Sequence, residues 1–294
     1  MKLKAMVVFL AVLAGVLAAQ PREVVPFNDG WQFKRGPFSG ETSKAVAQWN
    51  GRWDDVTLPH TWNADDMQRH AASFYEGEGY YRRNLRVASD RLDGRVFLRF
   101  EGVGSVAEVY VNGQLAGTHK GGYSAFVVEI GGLLKPDSDN EILVKADNRA
   151  RRDVIPVNHN LFGVYGGIYR PVWLITTSKS NITVMDCASP GVYVTQRNVS
   201  RKSADVSVKV KLDNASLVPD TLDWNVSIYD GDGRCVRSRT VPVVITPQGT
   251  QAYTMDFTVR NPHLWHGRKD PYLYKVVTEL KRNDRLVDRV EQPL

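Results

Sequence analysis

Apolar residues along this chain come in short runs rather than in helical stripes. Val96 to Phe100, Ala125 to Ile130 and Glu141 to Ala146 are rich in Val, Phe, Ile and Leu, and each is bounded by Gly, Pro, Asn or Asp. Short strands at close intervals predict an all-β sandwich or jelly roll. No amphipathic helix of three or more turns is expected after residue 20. The run Val106 to Val111 leads into Asn112-Gly113. That dipeptide most readily takes the two positive φ angles of a tight turn, so a hairpin with Leu115 to Thr118 is expected.

A second set of strands begins near Ile182. Val206, Val208, Val210 and Leu212 alternate with Asp205, Ser207, Lys209 and Lys211, the period of two that marks a half-buried strand. Asp230-Gly-Asp-Gly233 predicts a turn between Trp224 to Tyr229 and Arg234 to Thr240, and Tyr253 to Val259 and Tyr274 to Leu280 supply later strands. About seven strands in about 115 residues is the size of an immunoglobulin-like sandwich. The polar stretch Thr177-Ser-Lys-Ser-Asn181 separates the two sets. The expected domains are therefore a jelly roll over residues 20–178 and an immunoglobulin-like β-sandwich over residues 179–294.

Composition agrees with about two domains, since 294 residues with 43% hydrophobic and 10% aromatic content can fill two cores. Met1 to Ala19 reads as a secretory signal, with Lys2 and Lys4 ahead of an apolar run and small residues at Gly15, Ala18 and Ala19. The apolar run is shorter than the roughly 20 residues a spanning helix needs, which favours a signal over an anchor. Export to the periplasm or the extracellular space is the expectation, with no membrane partner once the signal is removed. The formal charge of +6 falls to +4 without Lys2 and Lys4, leaving 36 basic and 32 acidic residues of interleaved sign. Nucleic-acid binding wants basic residues gathered on one face, so it is not expected.

Cys187 and Cys235 allow one disulfide, but the order Cys187, Trp224, Cys235 has its long gap before the Trp, unlike an immunoglobulin domain. Two separate thiols are the simpler expectation, with the bond left open. Asn181, Asn198, Asn214 and Asn225 each open an Asn-x-Ser/Thr triplet, which matters only where a glycosylating pathway exists. Six histidines without zinc-ligand spacing suggest neither a metal nor a cofactor. His60 and His119 are expected to be hydrogen-bonded structural residues.

Five runs, in order, carry more information than any of these properties. They are Trp53-Asp-Asp-Val-Thr-Leu-Pro-His-Thr-Trp-Asn63, Tyr75-Glu-Gly-Glu-Gly-Tyr-Tyr-Arg82, the stretch from Phe100 through the Asn112-Gly113 turn to Phe126, Gly166-Gly-Ile-Tyr-Arg-Pro-Val-Trp-Leu174, and Asn261-Pro-His-Leu-Trp265 with Pro271-Tyr-Leu-Tyr274. Together they resemble glycoside hydrolase family 2, the family of β-galactosidases, β-glucuronidases and β-mannosidases, in its sugar-binding and immunoglobulin-like domains. The resemblance implies a (β/α)₈ barrel after the sandwich, carrying two glutamates, an acid/base preceded by Asn and a nucleophile. Retaining glycosidases need such a carboxylate pair about 5–5.5 Å apart. The chain ends at Leu294, where the approach to that barrel would begin, and its one Asn-Glu dipeptide, Asn140-Glu141, falls in the first domain. No catalytic role is carried over to any residue.

What the resemblance implies is the non-catalytic amino-terminal portion of a β-glycosidase. Such a portion scaffolds the barrel, lends loop residues to the sugar pocket and takes part in homo-oligomer contacts. A polar loop beginning at Asn63, Asp65 and Asp66 is the first place for substrate-binding residues, since carboxylates and amides offer directional hydrogen bonds to hydroxyls. Asn148 and Asn158, ahead of the Gly-Ile-Tyr-Arg strand, are the second. Tyr80, Tyr81, Tyr123 and Trp62 could stack on a sugar ring but read more simply as packing residues, and Arg170 as the partner of a buried carboxylate. Two other readings stay open: a stand-alone exported carbohydrate-binding protein, and an adhesion or scaffold protein of stacked sandwiches.

Overall fold

The computed structural model describes residues 21–36, 46, 49, 51–66, 74–157, 159 and 163–294. The expected signal and Asn158 lie outside the described residues. Ten strands form the first sandwich: β1 (Glu23–Pro26), β2 (Trp31–Arg35), β3 (Asp54–Val56), β4 (Glu78–Arg86), β5 (Arg95–Phe100), β6 (Val106–Val111), β7 (Gln114–Lys120), β8 (Phe126–Glu129), β9 (Asp139–Asp147) and β10 (Val172–Thr177). Eight follow: β11 (Ser180–Ile182), β12 (Val192–Arg197), β13 (Ser203–Asn214), β14 (Asp220–Tyr229), β15 (Cys235–Ile245), β16 (Gly249–Arg260), β17 (Lys275–Arg282) and β18 (Arg285–Pro293). Every strand pair is antiparallel.

In the first sandwich a six-stranded sheet, ordered β3-β2-β4-β9-β6-β7, faces a four-stranded sheet ordered β1-β10-β5-β8. Between them lie Trp31, Tyr81, Leu98, Phe100, Val109 and Val144, all at 2% exposure or less. Burying each such side chain stabilises the fold by roughly 1.5–3 kcal/mol. The run Ile142-Leu143-Val144 does not alternate because both faces of β9 are covered. Leu143 packs outward with Tyr80, Trp53 and Val46, while its neighbours enter the main core. The hairpin between β6 and β7 turns at Asn112 and Gly113, with φ of 50° and 80°. A residue with a side chain is strained there, and Asn and Gly are the two that tolerate it best.

The second sandwich pairs two four-stranded sheets. β13 carries β16 on one edge and both β11 and β12 on the other, facing β15-β14-β17-β18. The predicted alternation along β13 is observed, and Val208, Val210 and Leu212 are fully buried with Trp224 from β14. Cys187 and Cys235 are both free and exposed. Of the four Asn-x-Ser/Thr triplets, Asn181 and Asn214 are buried, with their amide groups donating to the backbone of Ile182 and of Val218 and Ile245.

Only Ser178 and Lys179 separate β10 from β11, and three arginines grip across that joint. Arg22 makes a bidentate pair with buried Asp288 at 2.9 Å on both contacts, and Asp288 also accepts from the Ile182 amide. Arg95 on β5 reaches Asp213 at 3.1 Å and Asn181 at 3.2 Å while holding Glu129 of its own sheet. Arg99 donates to the carbonyl of Ala188. Beside them Phe97 and Ile175 pack on Val184, sealing the joint with apolar surface.

Candidate functional site

The turn Leu58 to Trp62 crosses one end of the first sandwich and is fastened at both ends. The Leu58 amide donates to the Asn28 carbonyl and the His60 amide to that of Ile168, both at 2.9 Å. Phe33 of β2 is the ring on which this turn settles, stacked with Trp62 at 5.8 Å and in contact with His60 at 4.7 Å and Tyr81 at 4.9 Å. Glycines make this closeness possible. A Cβ on Gly166 would stand 2.0 Å from the Trp62 ring, and one on Gly167, at φ 107°, would stand 2.4 Å from the Tyr81 hydroxyl. The Gly-Gly of the closing motif is thus required by the aromatic residues of the opening one.

Burial pushes the Tyr81 phenol far up, so it keeps its proton. It lies 2.7 Å from His60 Nδ1. Burial also lowers His60, against a smaller opposing pull from Asp54. Lowering keeps the imidazole neutral, so one ring nitrogen donates and the other accepts.

Next to it, two asparagines tie three loops together. Asn63 Oδ1 accepts from the Gly166 amide at 2.8 Å and from Asn148 Nδ2 at 3.2 Å, while its Nδ2 donates to Asp66 at 2.7 Å and to the Tyr75 carbonyl at 3.0 Å. Asn148 Oδ1 accepts from the Gly77 amide at 2.8 Å, and its Nδ2 also reaches the carbonyls of Val164 and Tyr75. Asp66 closes the ring by accepting from the Tyr75 amide at 3.1 Å. Both asparagines are at 0% exposure. Expected as sugar contacts, Asn63 and Asn148 instead have every polar atom engaged inside the protein, because the loop carbonyls and amides they satisfy have no strand partner.

Asp65 is exposed, and it borders a hollow of about 540 Å³ with Lys34, Arg35, Asp54, His60 and Trp62. The structure thus brings Asn63, Asp66 and Asn148 into one network and leaves Asp65 at the edge of the hollow. Sequence reasoning missed Tyr75, whose hydroxyl donates to the Gly36 carbonyl at 2.9 Å beneath the Arg35 guanidinium. It also missed the pair of half-buried His159 with Glu76 at 2.7 Å, which pins the loop after β9. Neither has a sequence signal beyond its place beside a motif. Arg170 pairs with no carboxylate among the described residues; it is exposed and lies over the Tyr169 ring at 5.6 Å. Such an arrangement can hold hydroxyl groups by directional hydrogen bonds beside an aromatic wall. No cluster of three or more metal-ligating side chains occurs among the described residues.

Comparison with known proteins agrees with this geometry. The sugar-binding domain model of glycosyl hydrolases family 2 matches residues 45–178, and a second model of the same family matches residues 190–294. The chain belongs to glycosyl hydrolase family 2 and corresponds to its non-catalytic amino-terminal portion. A β-glucuronidase of Bacteroides fragilis is 36% identical over 97% of this chain, which spans 39% of that enzyme's length. A crystal structure described as a "putative beta-galactosidase" from the same species superposes with a TM-score of 0.89 at 61% identity, over 94% of this chain and 41% of its own. Bacteroides uniformis β-glucuronidase 2, solved with a covalently bound cyclophellitol-6-carboxylate aziridine, gives a TM-score of 0.86 at 30% identity, over 92% and 32%.

Proposed function

We propose that this chain forms one wall of the sugar pocket, and the scaffold, of an exported family 2 β-glycosidase whose catalytic barrel is its partner. In this reading residues 20–178 and 179–294 are two domains that present one surface to the barrel. Asp65 and His60 reach the sugar hydroxyls, and Asn63, Asp66 and Asn148 hold the rim in place. The observation that carries the reading is the asparagine network, which rigidifies three loops around a hollow on a domain type named for sugar binding. Exposed apolar residues support a docked partner. Tyr165, Trp265 and Leu273 are 44%, 65% and 52% accessible, apolar surface that a docked barrel would cover.

The purified chain should release nitrophenol from nitrophenyl β-glucuronide or β-galactoside no faster than buffer, because hydrolysis needs the barrel's carboxylate pair. Titrated with galactose or glucuronic acid, it should bind with a dissociation constant at or above about 1 mM. Turnover that disappears on replacing a carboxylate of this chain would overturn the reading. Micromolar monosaccharide binding lost in Asp65→Ala would turn it into a self-sufficient carbohydrate-binding protein.

A further inference from the structure

The second sandwich is closed along one side and open along the other. On the closed side, side chains bridge β15 and β16. Arg237 Nε donates to the Thr258 carbonyl at 2.7 Å, and the Tyr253 hydroxyl bonds both the amide and the carbonyl of Val244. Such cover hides strand edges, whose unpaired backbone groups otherwise invite another strand. On the other side Asp288 of β18 takes the Ile182 amide of β11 at 2.7 Å. No backbone bond reaches the free edge of β12 among the described residues.

Which groups that edge presents follows from the ladder. The Lys211 amide donates to the Gly191 carbonyl at 2.9 Å and the Lys211 carbonyl accepts from the Thr183 amide at 3.0 Å, so odd-numbered residues of β13 turn their backbone towards β12. Tyr193, Thr195 and Arg197, which stand opposite Lys209, Ser207 and Asp205, therefore make the ladder bonds. The amides and carbonyls of Val192, Val194 and Gln196 point the other way. Their side chains lie on the core face, where Val192 is buried but Val194 is only partly covered and Gln196 is exposed. Val-Tyr-Val-Thr is a run of strong strand formers with neither proline nor charge to blunt it.

Charge decides what can pair there. From Val192 to Val210 the chain carries four cations, Arg197, Arg201, Lys202 and Lys209, against one carboxylate, Asp205. All four cations are exposed, and none makes an ion pair among the described residues. Asp205 is already held by Asn198 Nδ2 and Thr258 Oγ1, each at 2.9 Å. The neighbouring Lys211 and Asp186 neutralise one another at 2.7 Å, and Asp256 stands on β16, beyond β13. A two-fold copy of this edge would set its cations against themselves.

We propose that β12 receives an extended acidic peptide of another protein as an added strand. The peptide backbone pairs with the outward amides and carbonyls of Val192, Val194 and Gln196. Its side chains alternate between faces. Apolar ones cover Val194, and acidic ones lie beside Arg197, with Lys209 one strand further. At about 4.8 Å between strands, Lys209 is about 10 Å from the peptide backbone, comparable to the screening length at 0.1 M salt. The site is separate from the hollow at Asp65.

Fluorescence anisotropy of the chain at low salt tests this with four labelled probes. They are a short peptide alternating glutamate with valine, its counterpart with lysine for glutamate, a version with proline for valine, and an oligodeoxythymidine. The glutamate and valine peptide should bind, weaken as salt rises, and bind at least about tenfold more tightly than the other three. In its presence the amides of Val192, Val194 and Gln196 should exchange hydrogen more slowly. Gln196→Pro removes an outward amide without touching a ladder bond, and Arg197→Glu reverses a charge; both positions are exposed. Each should weaken the peptide by about tenfold. Absence of peptide binding, equal binding of any other probe, or affinity that survives both substitutions would overturn the assignment. So would protection that appears only away from β12, or a dimer of the chain alone that Gln196→Pro turns into a monomer, which would give the edge to a second copy.

Discussion

The two sandwiches solve the same packing problem but put their buried polar groups in different places. In the first, Asn63, Asn148, Asp147 and Ser105 lie at one open end, where loops meet without a sheet ladder to satisfy them, and Asn140 ties the loop before β9 at the other. In the second, Asn181, Asp213 and Asp288 lie at the joint with the first. The longest strands differ as well, with β13 to β16 running ten to twelve residues against at most nine in the first sandwich. A sandwich built to carry loops interrupts its strands, and one built to support a neighbour extends them.

The strongest way to break this contrast is to remove an asparagine from the network. Asn148→Leu leaves the Gly77 amide and the Val164 carbonyl buried without partners, and should destabilise the first sandwich by about 3 kcal/mol. Urea unfolding followed by hydrogen exchange should place the loss there and spare the amides of β13 and β14. Equal loss in both sandwiches would mean that they unfold as one unit.

Arg95→Ala probes the joint instead. It strips Asp213 of its guanidinium partner, each side chain being 11% exposed, and should cost about 3 kcal/mol. Its distinguishing effect is on cooperativity, because calorimetry should then resolve the transitions of the two sandwiches further apart than in the parent. Gly113→Val, which forces a β-branched residue to φ 80° far from both regions, should cost about 1–2 kcal/mol. Neither the loop network nor the joint should respond to it.

A smaller effect comes from pH. Burial lowers both His60 and His119 in the first sandwich. A depressed folded-state pKa gives stability that is intact above the unfolded value near 6.5 and is lost as pH falls through the folded value. The first sandwich should therefore weaken below about pH 6.5, and His60→Asn should flatten that slope. An unchanged slope in the variant would assign the acid sensitivity to other groups.

Much of this contrast was legible in the sequence where local rules decide. Asn112-Gly113, the alternation along β13 and the polar break before Ser180 each encode geometry within a few residues, and the strands appeared where those signals lay, though β15 and β16 run longer than their apolar cores suggested. The roles of the expected site residues were not legible. Asn63 and Asn148 carry the same polar chemistry whether they face a sugar or a carbonyl, and only the three-dimensional meeting of Tyr75, Val164 and Gly166 shows which. Tyr123 was read as a packing residue and stands exposed, because its neighbours Gly121 and Gly122 turn the chain outward just before it.

The three arginines at the joint have one more consequence. A two-residue connector would ordinarily let the sandwiches swing, but Arg22, Arg95 and Arg99 are anchored on one body and bonded to the other at three separate points. Three non-collinear struts fix an angle, as they do in a bracket. Anything that seats against Trp265 and Leu273 on the second sandwich therefore also aims the hollow at Asp65 on the first, at no further loss of orientational freedom.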